Sequence, residues 1–128
     1  MHVYRVASEN ADATLEQEQR RHGIRQSLTR EANEHAFASH PTSSFIECEC
    51  ECPQESCDEL VSLSVDEYEE VRSVSTYFVV ARGHAGNQGE RVVRESSRYQ
   101  VIENTGVAGE VASRLDPRAR PKSRETGP

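Results

Sequence analysis

The chain has 128 residues, with 22 acidic against 15 basic side chains, a formal charge of −7 and no tryptophan. That length fits one small domain with or without tails, and no window approaches the roughly 18 consecutive apolar residues of a membrane-spanning helix. Of the 24 Leu, Ile, Val and Phe residues, 18 fall between positions 44 and 115, so the expected core is a small central region that would need a staple such as a metal or a disulfide.

In chain order, positions 1–12 carry no clear pattern. Positions 13–38 are rich in Glu, Gln, Arg and Ala and read as a helix. Its thin apolar stripe comprises Leu15, Ile24, Leu28, Ala32 and Phe37, and Gly23 interrupts it, which would move the helix start toward Ile24. Such a helix would dock on the domain, or pair with another chain, through one narrow face. Pro41, Thr42, Ser43 and Ser44 mark a loop. Positions 44–50 read as a strand in which Glu and Cys alternate, and 59–63 as a second, carrying Leu60, Val61 and Leu63.

Ser64 followed by Glu67 is a capping box, opening a short helix over 65–72 that buries Val65, Tyr68 and Val71. The β-branched and aromatic run of 76–82 is the clearest strand. A Gly-rich loop around His84 follows, then an ambiguous segment at 90–95 and a strand over 99–103. A last helix over 107–115 presents Val107, Val111 and Leu115 on one face and stops before Pro117. The pattern predicts an α+β fold: a small, mostly antiparallel sheet of three to four strands with two short helices, preceded by an N-terminal helix. The expected organisation is an arm and helix at 1–43, a small metal-stapled α+β domain at 44–116, and a disordered tail at 117–128.

Charge is uneven. The segment 47–70 contains ten acids and no base, which argues against nucleic acid at this place. The tail carries Arg118, Arg120, Lys122 and Arg124 among prolines; four charges give little affinity for phosphate at physiological salt. Glu67, Glu69 and Glu70 resemble paired carboxylates, but on a short helix they read as a solvated face. No Gly-x-Gly-x-x-Gly, Walker, Gly-x-Ser-x-Gly or His-Glu-x-x-His motif occurs. Positions 1–5 do not lead into an apolar segment of the secretory type, so the expected compartment is the cytoplasm.

The chemistry concentrates in Cys48, Cys50, Cys52 and Cys57, the only cysteines. In a cytoplasmic protein persistent disulfides are rare. Neighbouring carboxylates also blunt thiol nucleophilicity, so metal binding is the favoured reading, with zinc or iron as the ion. On a straight strand Cys48, Cys50 and Cys52 would share a face but span roughly 13 Å, too far for one coordination shell. One of the three is therefore expected to be left over. A fourth ligand is best sought among His35, His40 and His84. A thiol–histidine pair between Cys57 and His84 has no pocket-forming sequence around it.

These motifs resemble a family of small, functionally unassigned proteins found mainly in actinobacteria. The similar segments are Cys50-Glu51-Cys52 with Cys57, then Leu63-Ser64-Val65-Asp66-Glu67-Tyr68-Glu69-Glu70-Val71-Arg72. Phe78-Val79-Val80 with Gly83-His84, Glu90-Arg91-Val92-Val93, Tyr99-Gln100-Val101-Ile102-Glu103 and Asp116-Pro117-Arg118 follow. Arg30-Glu31-Ala32-Asn33-Glu34 is similar to the family's N-terminal helix. The resemblance implies Cys50, Cys52, Cys57 and His84 as ligands. The chain departs from the pattern in Cys48, which adds a second Cys-Glu-Cys in register.

Together these readings lead to a non-enzymatic zinc-binding interaction or regulatory module, with a protein as partner and no nucleic acid or membrane. The alternative is a redox-sensing or metal-handling thiol protein in which the spare cysteine is reactive.

Overall fold

The structure, a computed structural model of the chain, describes residues 2–40 and 45–119, with side chains of the first helix from residue 14 onward. The expected loop at 41–44 and the basic positions Arg120, Lys122 and Arg124 lie outside the described residues.

The fold is α+β. Helix α1 (His2–Ser39) leads into β1 (Ile46–Glu49), β2 (Leu60–Leu63), α2 (Val65–Arg72), β3 (Tyr77–Val80), β4 (Glu90–Glu95), β5 (Gln100–Asn104) and α3 (Gly106–Arg114), and a 3-10 turn (Pro117–Ala119) follows. The strands form two antiparallel sheets, β1-β2 and β3-β5-β4, where the sequence predicts one. The physical reason lies at the ends of β2 and along β3. Ser64 caps α2 immediately after β2, with both reciprocal bonds of the capping box made, so the chain turns away from the sheet. The free edge of β3 is taken by one residue, Glu51, whose N–H donates to Val79 O at 2.8 Å. The ambiguous 90–95 segment is a strand with a bulge near Val93.

The interior is built from Leu63, Tyr68, Val71, Phe78, Val79, Val80, Val101, Ile102 and Ala112, all essentially inaccessible. Helix α1 closes this core. Phe37 stacks on Tyr68 with ring centroids 3.8 Å apart.

The predicted apolar stripe of α1 is not its docking face. Of those five residues only Phe37 is buried; Ile24 and Leu28 are 41% and 61% exposed. The buried face is Gly23, Gln26, Ser27, Arg30, Asn33 and Phe37. Arg30 on this face donates to the backbone carbonyls of Ser75 and Ala112 at 2.7 and 2.9 Å, while its guanidinium lies 4.7 Å from the Phe78 ring. Gly23 does not interrupt the helix, which runs from His2. It is a contact point with α3, where a Cβ would sit 3.0 Å from Val111 Cβ.

Glu67, Glu69 and Glu70 of α2 are not merely solvated. Glu67 and Glu70 accept from Arg98 and Arg94. Glu69 accepts from Arg118, which also bonds Glu34. Glu34 and Asp116 in turn hold the buried Arg72. Arg118 thus fixes the 3-10 turn that opens the expected tail.

Candidate metal centre

Three short segments converge at one end of β3. The first is the exit of β1. Cys50 N–H donates to Glu59 O at 3.0 Å, extending the β1-β2 pairing by one residue before Glu51 switches to β3. Beyond Glu51 the chain bends through the buried Pro53, so Cys50 and Cys52 are no longer on a straight strand. The second segment is the turn that follows, closed by Cys57 N–H donating to Gln54 O at 3.2 Å, which returns Cys57 to the other two thiols. The third is the turn after β3. Gly83 at φ +86° has open space where a Cβ would be, so glycine serves the backbone angle here. His84 N–H donates to Ala81 O at 3.0 Å and the imidazole swings back over the cysteines. Gln54 bonds Asn87 at 3.1 Å, tying the second segment to the third.

The result is a group of four donors. The ligating atoms of Cys50, Cys52, Cys57 and His84 all lie within 4.8 Å of one another. His84 Nδ1 is 3.5 Å from both Cys50 Sγ and Cys57 Sγ. A tetrahedral zinc with ordinary Zn–S and Zn–N bonds has S···N edges of about 3.5–3.6 Å, which these two distances match. The same separation also allows a thiol–imidazole hydrogen bond.

Burial raises the Cys50 and Cys52 thiols above the usual range, against the lowering effect of N–H donors. One of these donors is Ala81 N–H, 3.1 Å from Cys50 Sγ. Thiols that resist ionisation must be deprotonated before they can ligate a dication, so a metal bound at this group would release protons. Cys50 and Cys52 are buried, Cys57 and His84 half-buried.

Cys48 is the cysteine left out. It pairs with Val61 inside the β1-β2 ladder, is 1% exposed, and its thiol is pushed far up by burial. None of the four cysteines is disulfide-bonded. His35 and His40 are exposed, and His40 Nδ1 faces Ala36 O.

Sequence reasoning missed the groups that hold this site in place. Glu51 is completely buried. Its carboxylate accepts from Val79 N–H at 2.9 Å and from Asn33 Nδ2 at 2.8 Å. Burial pushes this carboxyl up to about 7, against the lowering effect of Asn33, Val79, Arg30 and Arg72. The available signal was position: a strand-like alternation would aim Glu51 at solvent, yet it lies between two thiols that must both leave the strand.

No family model, no curated protein and no solved structure matches the chain. Among the described residues no helix is long and apolar enough to cross a membrane.

Proposed function

We propose that this chain is a zinc-binding module in which Cys50, Cys52, Cys57 and His84 hold one ion as a structural staple, and that it works by interaction, not catalysis. The observation that carries this reading is the convergence of four donors within 4.8 Å from three chain segments. Four protein ligands complete a tetrahedron and leave no open position for substrate or water. Donors this close suit a single ion, whereas an iron–sulfur cluster spreads its thiolates around several atoms. The net charge of −7 and the ten acids without a base over 47–70 favour a protein partner over nucleic acid, and a cytoplasmic setting accords with four reduced thiols. The resemblance to the actinobacterial family points to the same ligand set.

The alternative, a thiol sensor using the spare cysteine, has little support. Cys48 is inaccessible and its thiol is held protonated by burial, so it is neither exposed nor a thiolate.

Elemental analysis with native mass spectrometry of the purified chain tests the proposal. One zinc per chain is expected, and a strong chelator should remove it with a fall in melting temperature. A protein that carries no metal and takes up none on titration with zinc would overturn the reading. An iron content with visible absorption would replace zinc by iron.

A further inference from the structure

We infer that Glu51 is a positioning residue for the metal centre that works specifically as a carboxylate, paired with Asn33, so that helix α1 and the cysteine turn are built as one unit. This rests on the metal-binding reading above.

Glu51 lies between two of the four ligands and is 0% exposed. Its backbone and side chain both engage one residue of β3: Glu51 N–H donates to Val79 O at 2.8 Å, and Val79 N–H donates to Glu51 Oε1 at 2.9 Å. This two-bond ring fixes the peptide between Cys50 and Cys52 relative to β3, the strand that delivers His84. The neighbouring bond from Ala81 N–H to Cys50 Sγ at 3.1 Å continues the same edge.

The other carboxylate oxygen accepts from Asn33 Nδ2 at 2.8 Å. Asn33 cannot turn its amide to suit a different partner. Its Oδ1 accepts from Glu49 N–H at 2.9 Å, and its Nδ2 donates to Glu49 O at 2.9 Å. A flip would set donor against donor and acceptor against acceptor. Both oxygens of Glu51 therefore face fixed N–H donors, one from a backbone and one from a locked amide. A carboxylate satisfies both; a glutamine of the same size satisfies one and opposes an NH2 to the other. Burying an ionised group is costly, and a space-filling role would be met by an apolar side chain. The buried Arg30 and Arg72 supply compensating positive charge. Partners that orient ligands in this way are worth about 10–100-fold in metal affinity.

The test uses the full chain loaded with zinc, in competition with a chelator, and the cobalt(II) form for its thiolate and d–d absorption bands. Glu51→Gln should weaken zinc binding by about 10–100-fold and shift the cobalt bands. The exchange variant Asn33→Asp with Glu51→Gln restores the 33–51 pair: glutamine Nε2 then donates to Asp at 33, glutamine Oε1 accepts from Val79 N–H, and the second oxygen at 33 accepts from Glu49 N–H. Glu49 O, which Asn33 Nδ2 serves, loses its donor in both variants that carry Asn33→Asp, so Asn33→Asp alone, with two facing carboxylates, is the reference. The exchange variant should bind zinc more tightly than Asn33→Asp alone and move the cobalt bands back toward those of the wild type.

A role confined to packing would not respond to this exchange of donors and acceptors. Glu51→Gln binding zinc like the wild type would overturn the inference, as would an exchange variant that binds no more tightly than Asn33→Asp alone. Should Glu51→Gln fail to fold, the comparison of the exchange variant with Asn33→Asp alone decides: a gain in stability and zinc binding supports the pairing, no gain overturns it. A wild-type chain that binds no zinc refutes the metal reading itself and this inference with it, which separates the two failures.

Discussion

The imidazole of His84 and the thiol of Cys57 meet at 3.5 Å although 27 positions separate them in the chain. That contact joins the turn after β3 to the turn after the Cys50–Cys52 segment, and Cys50 stands at the same distance from the ring. Replacing His84 by alanine should therefore lower zinc retention in a chelator competition and lower the melting temperature of the zinc-loaded protein. The difference in melting temperature between variant and wild type should vanish once both are stripped of metal. A persistent difference in the stripped forms would show that the imidazole acts through packing instead.

Cys48 offers the complementary control. It pairs with Val61 in the β1-β2 ladder, is buried in the core and is not among the four donors. Cys48→Ala should keep one zinc per chain and the wild-type affinity, while losing about 1–2 kcal/mol of stability to the small cavity left behind. Cys50→Ala or Cys52→Ala should lose the metal. Urea unfolding together with metal content separates the two behaviours, and a Cys48→Ala protein without zinc would place that thiol in the site.

The contrast between these cysteines marks what was legible in the sequence. Residue type and spacing point to a thiolate site and to one cysteine left over, since three same-face thiols cannot share an ion along an extended strand; which cysteine is left over, and the choice of His84, rest on the family resemblance. The capping box at Ser64 and Glu67 and the β-branched run of β3 are local signals, and both elements form where the pattern places them. The docking face of α1 was not legible, because it is polar. Arg30 and Asn33 carry no apolar periodicity; they are buried because backbone carbonyls at Ser75, Ala112 and Glu49 await donors. Such matches depend on tertiary placement. The split into two sheets escaped for the same reason, since it depends on Glu51 occupying the edge of β3.

A second buried network sets the closure of the chain's end. Arg72 is inaccessible and donates to Asp116 and Glu34. Removing one partner of a buried ion pair leaves an uncompensated charge and typically costs about 3–5 kcal/mol. Asp116→Ala should fall toward the lower end of that range, because Glu34 still faces the guanidinium. It should also release the bond from Arg118 N–H to Asp116 and loosen the 3-10 turn. Chemical denaturation and hydrogen exchange at residues 117–119 would read both effects. A loss below about 1 kcal/mol would mean that solvent reaches Arg72.

Acid sensitivity has a clear sign at Glu67. Its carboxyl is lowered from the ordinary value of 4.5 to about 2 by the hydrogen bonds from Arg98, which outweigh desolvation. A folded-state value below the unfolded one means the charged form is favoured by folding. The resulting stabilisation is complete above the unfolded pKa and is lost as pH falls from there toward 2. Urea midpoints measured on metal-free protein should show Glu67→Gln less stable than wild type at pH 7, with the gap narrowing steadily between about pH 4.5 and 2. A gap that does not change over this interval would assign the loss to the cap at Ser64 alone.

Gly109 lies where α3 crosses the end of β5. A Cβ added there would lie 2.7 Å from Asn104 O and 3.2 Å from Asn104 C. Those are backbone atoms, held by Asn104 N–H donating to Thr76 O at 2.9 Å, so they cannot swing aside as a side chain would. Alanine at a helix interior normally gains about 1 kcal/mol over glycine. Here the overlap forces α3 off the sheet, and overpacking of this kind typically costs about 1–3 kcal/mol. Gly109→Ala should therefore lower the melting temperature despite its better helix propensity. The same substitution at Gly23, whose would-be Cβ meets Val111 Cβ at 3.0 Å and the backbone Ala108 O at 3.1 Å, should cost less, since both contacts are looser than the 2.7 Å at Gly109 and need a shift of only a few tenths of an ångström. A Gly109→Ala variant as stable as the wild type would mean that α3 can slide freely along β5.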